Sequence, residues 1–327
     1  MIGNDMDASP EIVTITPNPA LDLTWQVDRL SPGESHRVPT GTGRAGGKGL
    51  NVARVLTQQR VRAVAVFTSG GPTGVEFETE LAASGVPHVV VPVAAATRRS
   101  IALVDQASGV ATILNERGAG VSDAEAAALF DAARTAARGA RVVVISGSLQ
   151  PGIDADAIAA LAGEFIAAGI VTIVDTSGPA MLAAARVGAI VKPNRDELVE
   201  ATGLTDVDAG IAQLLDLGAR TVVCSRGEAG LTVTSRASGT ELTVGARLGR
   251  TLRGNATGAG DAAVAALAAT YAEASVAPDL TVDGLATLAR RATAWSASAV
   301  LMPLAGELSP DLAALDAEVQ LVPTLEA

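Results

Sequence analysis

Val142-Val-Val-Ile-Ser146 and Val171-Thr-Ile-Val-Asp175 frame an Ala-rich stretch of helical periodicity, and the same alternation repeats along most of the chain. The runs Ile12 to Thr16, Ala63 to Thr68, Ala189 to Lys192 and Thr221 to Ser225 are likewise short, β-branched and apolar, each followed by an Ala-rich helical pattern. Strands that are apolar throughout are covered on both faces, so the alternation predicts an α/β fold around a mostly parallel sheet. Ser122-Asp-Ala-Glu125 reads as a capping box before the periodicity of Ala124 to Arg138, which ends at Gly139. Two stretches break the pattern. Residues from about Asp22 to Gly46 are polar, with Pro and Gly and no helical period, while Ser100 to Glu116 reads strand, turn, strand around Gln106-Ala-Ser-Gly109. Together they suit a small antiparallel sheet over one end of the main domain, a lid or an oligomer surface, because such a sheet is marginal alone.

At 327 residues the chain is long enough for two domains, or for one large α/β domain with an insertion. A net charge of −11 supplies no basic platform for nucleic acid, and an aromatic content of 2% leaves little to stack on bases. The core must therefore be built from Ala, Val, Leu and Ile. The single cysteine, Cys224, ends an apolar strand and reads as a small buried residue; it cannot form an internal disulfide or a Cys-rich zinc site. The N-terminus has no basic start and no apolar stretch of signal-peptide length, and Ala262 to Ala272 and Ala292 to Ala305 are too short to span a membrane. The expectation is a soluble cytoplasmic protein with no membrane partner. His36 and His88 carry no triad or metal spacing.

Two glycine-rich segments resemble nucleotide motifs without their context. Gly41-Thr-Gly43-Arg-Ala-Gly46 follows no apolar strand and has no acidic residue about 20 positions on for a ribose. Gly47-Lys48 is followed by Gly49 rather than Ser or Thr, which excludes a Walker A loop. Gly258-Ala-Gly260-Asp261, by contrast, opens a long Ala-rich run, so small residues place bare backbone N–H groups at a helix N-terminus where an anion is favoured. Asp261 beside it is either a helix-dipole carboxylate or a catalytic one.

Gly46-Gly-Lys-Gly-Leu-Asn-Val-Ala-Arg54 and Asn255-Ala-Thr-Gly-Ala-Gly-Asp261 together resemble the two signatures of the ribokinase-like (PfkB) carbohydrate kinases. Between and around them, in the family's order, stand Thr16-Pro-Asn-Pro-Ala-Leu-Asp22, Gly33-Glu-Ser-His-Arg37, Ser146-Gly-Ser-Leu-Gln-Pro-Gly152, Lys192-Pro-Asn-Arg-Asp-Glu197 and Ser225-Arg-Gly-Glu-Ala-Gly230. The first two of these and Asn-Val-Ala-Arg look like the phosphosugar branch, which holds 1-phosphofructokinase, tagatose-6-phosphate kinase and the minor 6-phosphofructokinase. The resemblance implies one ribokinase-like domain over residues 1–327, a three-layer sandwich with a β-sheet lid from about 22–46 and 98–118. It also implies ATP with Mg²⁺, a ketohexose phosphate such as fructose 1-phosphate as acceptor, and often a homodimer through the lids. Ala262, Gln150 and His36 depart from the branch's usual residues. A free-sugar or nucleoside kinase and a non-catalytic sugar-phosphate sensor are the competing readings.

Carried over by resemblance, Asp261 is the base that takes the proton of the sugar hydroxyl, and the amides of Ala259, Gly260 and Asp261, with Gly258 opening the turn, form the anion hole for the moving phosphoryl group. Asp22, Gly46, Gly47 and Asn51 match the sugar side, with Lys48 and Arg98 as cations for the phosphate it already carries. Asn194 and Glu197 match the Asn-x-x-Glu that orders Mg²⁺ through phosphates and water, with no direct protein metal site; a plain helix cap is the alternative. Ser225, Gly227 and Gly230 match the nucleotide loop.

Overall fold

The computed structural model describes residues 10–237, 240–275 and 277–322, so the N-terminal segment read above lies mostly outside the described residues. Its strands are β1 (Ile12–Thr16), β2 (Ala20–Val27), β3 (Thr42–Gly46), β4 (Ala63–Ser69), β5 (His88–Pro92), β6 (Arg98–Asp105), β7 (Ala111–Asn115), β8 (Val142–Ser146), β9 (Val171–Asp175), β10 (Ile190–Val191), β11 (Thr221–Ser225), β12 (Leu231–Ala237), β13 (Thr240–Leu248) and β14 (Val319–Val322). The helices are α1 (Lys48–Gln58), α2 (Gly71–Ser84), α3 (Asp123–Ala136), α4 (Ala155–Ala167), α5 (Gly178–Arg186), α6 (Arg195–Thr202), α7 (Val207–Leu217), α8 (Ala259–Glu273), α9 (Val282–Val300) and α10 (Leu312–Glu318).

The main sheet runs β14-β13-β12-β11-β10-β9-β8-β1-β4-β5 among the described residues. From β11 to β5 every neighbour is parallel, and β12, β13 and β14 extend it antiparallel. Both faces are covered, as the apolar strands require: residues of α1, α8 and α9 pack on one, and those of α3, α4, α5 and α7 on the other. Helix α8 is buried along almost its whole length, which explains its Ala content, since only small side chains let it sit so close to sheet and neighbours. The capping box at Ser122 and Glu125 is present, and α3 stops two residues short of Arg138. No helix among the described residues is long and apolar enough to cross a membrane.

The second sheet, β3-β2-β6-β7, is built from the two stretches that break the alternation. It is mixed rather than antiparallel throughout: β2–β3 and β6–β7 are antiparallel, but β2 and β6 are parallel. The reason is connectivity. The chain returns through α1, β4, α2 and β5 before forming β6, so no hairpin reverses its direction.

Candidate active site at the carboxyl ends of the strands

Ligands of open α/β sheets collect outside the carboxyl ends of the parallel strands. Here β1, β8, β9, β10 and β11 end there, and the lid sheet closes one side to leave a cavity of about 1180 Å³. Asp22, Gly47, Lys48, Asn51, Arg98, Asn194, Glu197, Ser225, Gly227, Gly230, Gly258, Ala259, Gly260 and Asp261 all line it. Gly46 does not: it is buried beneath Asp22, and an added Cβ would lie 1.9 Å from Asp22 Oδ2. Ala262, Gln150 and His36 are off the wall as well. Ala262 is in the core, Gln150 bridges Thr68 and the Ala119 carbonyl, and His36 lies in the exposed loop between β2 and β3.

Asp261 stands in the first turn of α8, only 6% exposed, where the Asn51 amide donates to its Oδ2 at 2.8 Å. Gly258 caps the helix with φ +84, a left-handed conformation, and a Cβ there would strike Ala305. The Ala259 N–H is used by the Ala256 carbonyl at 3.2 Å. The open amides at this helix start are therefore the N–H groups of Gly260 and Asp261, which donate to no carbonyl of the preceding turn, a place where an anion is favoured. Burial pushes the Asp261 carboxyl up to about 6, and the nearby Asp175 charge adds to this against Lys48, the Asn51 bond and Lys192. Asp22 is also raised to about 6, first by burial, with Arg98 opposing and Asp261 adding.

Two residues that the sequence reading did not assign hold the centre of the site. Asp175 ends β9 and is 1% exposed; its Oδ1 pairs with Lys192 Nζ at 3.2 Å, and its Oδ2 accepts from Ser146 Oγ at 3.0 Å with Lys48 Nζ at 3.6 Å. Burial alone would raise its pKa, but Lys192, Lys48 and Ser146 outweigh this and hold it below the usual carboxylate range. Lys192 lies beside these open amides: a Cβ added at Gly260 would be 3.5 Å from its Nζ. A carboxylate closing an apolar parallel strand was the available signal for Asp175.

Lys48 Nζ also pairs with Glu197 Oε1 at 3.2 Å, and its two carboxylate neighbours hold its pKa above the ordinary lysine range. Asn194 and Glu197 do form a capping box on α6: Asn194 Oδ1 accepts from Glu197 N at 2.8 Å, and Glu197 Oε2 accepts from Asn194 N at 2.9 Å. The cap occupies one carboxylate oxygen and leaves Oε1 with Lys48. At the lid end, Arg98 donates to the Asn18 carbonyl through Nε at 3.3 Å and Nη2 at 3.1 Å, and to the Glu116 carbonyl through Nη1 at 3.0 Å. Asn18 itself donates to the Arg117 carbonyl and to Ser148 Oγ.

A mostly parallel sheet with a separate lid, and a helix N-terminus that brings a buried carboxylate into the cleft between them, is the arrangement of the ribokinase-like kinases. The model for the pfkB family of carbohydrate kinases matches residues 16–312, and the chain belongs to that family. It is 36% identical over 272 residues to 1-phosphofructokinase of Xanthomonas campestris pv. campestris, which covers 80% of this chain and 84% of that protein. Among solved structures it resembles phosphofructokinase-2 of Escherichia coli in complex with fructose-6-phosphate, with TM-score 0.81 and 28% identity over 95% of this chain and 99% of that one. The tetrameric inhibited form of the same Escherichia coli enzyme has TM-score 0.82 and 29% identity over 94% and 98% of the two chains.

Proposed function

We propose that the chain transfers the γ-phosphoryl group of ATP to a hydroxyl of a ketohexose phosphate, with fructose 1-phosphate as the acceptor and fructose 1,6-bisphosphate as the product. The observation that carries this reading is Asp261: a buried carboxylate with a raised pKa, next to two open amides, in the cavity that also holds Lys48 and Lys192. The 1-phosphofructokinase relative supports the choice of sugar. Fructose 6-phosphate and tagatose 6-phosphate are the alternatives within the same chemistry.

In this mechanism Asn51 holds Asp261 Oδ2, and the carboxylate takes the proton of the accepting hydroxyl as its oxygen attacks. The Gly260 and Asp261 amides, with Lys192 beside them, stabilise charge on the phosphoryl oxygens. Lys48, which shares the Asp175 carboxylate with Lys192, adds a second cation for the phosphates. Asp22 and Asn51 receive the sugar hydroxyls, and Ser225, Gly227 and Gly230 form the nucleotide loop. Magnesium supplies charge neutralisation between the nucleotide phosphates. Glu197 Oε1, a hard oxygen on the cavity wall beside Asn194 that pairs with Lys48 at 3.2 Å, fits a cation that would arrive on those phosphates. The whole chain acts as one kinase domain whose lid, residues 22–46 and 98–118, covers the sugar and excludes water. A reaction that consumes ATP belongs in the cytoplasm.

An ADP-release assay over fructose 1-phosphate, fructose 6-phosphate, tagatose 6-phosphate, fructose, ribose and a nucleoside tests the reading. Fructose 1-phosphate should give the highest kcat/KM; turnover of free sugars or nucleosides alone, or sugar-phosphate binding without ATP turnover, would reject it. Arg98→Ala should raise KM for the sugar phosphate about 10- to 100-fold, the worth of a charge-assisted contact, while KM for ATP barely moves. An unaltered sugar-phosphate KM in that variant would remove Arg98 from the site.

The lid also suits a homodimer. Ile113 and Leu114 on β7 are 47% and 55% exposed, one on each face of a strand at the sheet edge, where unpaired backbone groups can meet a second chain. Leu114→Glu should reduce the sedimenting mass from dimer to monomer, and a wild-type chain that sediments as a monomer at micromolar concentration would exclude the lid dimer.

A further inference from the structure

Among the described residues, five cationic side chains line the cavity: Lys48, Arg98, Arg117, Lys192 and Arg250. Four are engaged. Lys48 and Lys192 pair with Asp175, Lys48 also with Glu197, Arg250 with Glu318, and Arg98 donates to two backbone carbonyls. The Arg117 guanidinium is exposed and makes no hydrogen bond or ion pair among the described residues. Its own neighbour Glu116 is turned away from it, with Oε2 accepting the Arg99 N–H at 2.7 Å.

The backbone that carries Arg117 is nonetheless fixed at the sugar end. Its carbonyl accepts from Asn18 Nδ2 at 3.2 Å. At the next residue, Gly118, an added Cβ would meet Asn18 Oδ1 at 2.9 Å and Arg98 Cδ at 3.5 Å, so the chain after Arg117 is packed against both. Arg98 uses three of its five N–H groups on carbonyls and keeps one free on each terminal nitrogen.

We propose that Arg117 is a specificity-determining residue that receives the phosphate already carried by the acceptor sugar, closing on it together with the two free N–H groups of Arg98. This rests on the sugar-phosphate reading above. In a fructofuranose phosphate, C1 and C6 lie at opposite ends of the ring, so with the accepting hydroxyl at Asp261 the phosphate lies at the far end of the sugar. A dianion placed there, in an acidic chain and near Asp22, needs positive charge that is not already neutralised. Arg117 supplies that charge in a planar fork that suits phosphate oxygens. Lys48 cannot supply it without giving up Asp175 or Glu197.

Steady-state kinetics of wild type, Arg117→Ala and Arg117→Lys, with the sugar phosphate and its unphosphorylated parent sugar, test the assignment. Arg117→Ala should raise KM for the sugar phosphate about tenfold, the low end for a charge-assisted contact because the site is exposed. KM for ATP and kcat/KM for the free sugar should stay within about twofold, and Arg117→Lys should recover part of the loss. Raising KCl to 0.5 M should raise the wild-type KM more than that of the Ala variant, since salt screens the contact removed (~4 Å Debye length). A wild type active on sugar phosphates with an unchanged KM in Arg117→Ala overturns this assignment and leaves the proposed function standing. Equal losses on sugar phosphate and free sugar would make Arg117 a support of the lid and overturn it too. A wild type inactive on every sugar phosphate removes the functional reading, and the assignment with it.

Discussion

Replacing Asp261 by Asn should lower kcat at least ~10²-fold, the usual contribution of a general base, and should raise the melting temperature at neutral pH. The amide keeps the shape of the side chain and can still accept from Asn51, so the helix start and the cavity survive. What it cannot do is take the hydroxyl proton. The stability gain follows from the pKa. Burial and Asp175 lift the folded-state value to about 6 from the ordinary 3.8, so the fold favours the neutral acid. That contribution is fully present below the unfolded value and is lost as pH rises through about 6, so at pH 7.5 the ionised carboxylate holds the fold at a disadvantage on the order of 1–3 kcal/mol. Asn removes the charge and the disadvantage, and the difference in melting temperature should vanish near pH 4. In the active enzyme the same ionisation gives the acid limb of kcat/KM, falling below about pH 6 together with Asp22 as a coupled pair. Near-wild-type turnover in the Asn variant would reduce Asp261 to a helix-dipole carboxylate, and turnover is the readout that separates the two roles.

The strands readable from sequence were those buried on both faces, where every residue is apolar. Ile12–Thr16, Val142–Ser146, Val171–Asp175 and Thr221–Ser225 match to the residue. The run Ala189 to Lys192 shrinks to Ile190–Val191: Lys192 still donates its N–H to the Val174 carbonyl at 3.4 Å, but Pro193 after it has no N–H to continue the ladder. Strands β12 and β13 went unread: they alternate Thr and Ser with Val and Leu, and Gly245 interrupts the second, so neither is a continuous apolar run. β5 ends in Pro92 at the sheet edge. The site shows the same division. Asp261 and Asn51 sit inside glycine-rich segments whose composition is hard to explain by folding alone, and Asp22 follows a Pro-containing turn. Asp175 and Lys192 close ordinary strands, and their pairing exists only because the sheet order sets β9 beside β10. The contact between Asn18 and Arg117 joins residues 99 apart and has no local trace in the chain.

Gly46→Ala should fold, bind ATP normally and lose about 10²-fold in kcat/KM for the sugar, the loss typical of an ångström-scale misplacement in a site. A Cβ at position 46 would lie 1.9 Å from Asp22 Oδ2 and 2.5 Å from its Cγ, so one of the two must move. The strand end is held from both sides: the Ala45 N–H donates to Glu80 Oε2 at 2.8 Å, its carbonyl accepts from Arg54 at 3.1 Å, and Arg54 pairs with Glu80 at 2.6 Å. The Asp22 side chain is the softer element and swings away, taking with it the acceptor proposed for the sugar hydroxyls. Gly46→Ala should then behave like Asp22→Ala, and the double variant should lose little more than either single one, since both remove the same group. Gly47→Ala provides the contrast. Gly47 has φ +117, and its Cβ would meet Thr16 and the Pro19 backbone, so that variant should be destabilised throughout rather than impaired toward sugar alone. Sugar and ATP kinetics with a thermal melt on the same preparations separate the two outcomes. A Gly46→Ala enzyme with unaltered sugar kinetics would mean that Asp22 plays no part in holding the acceptor.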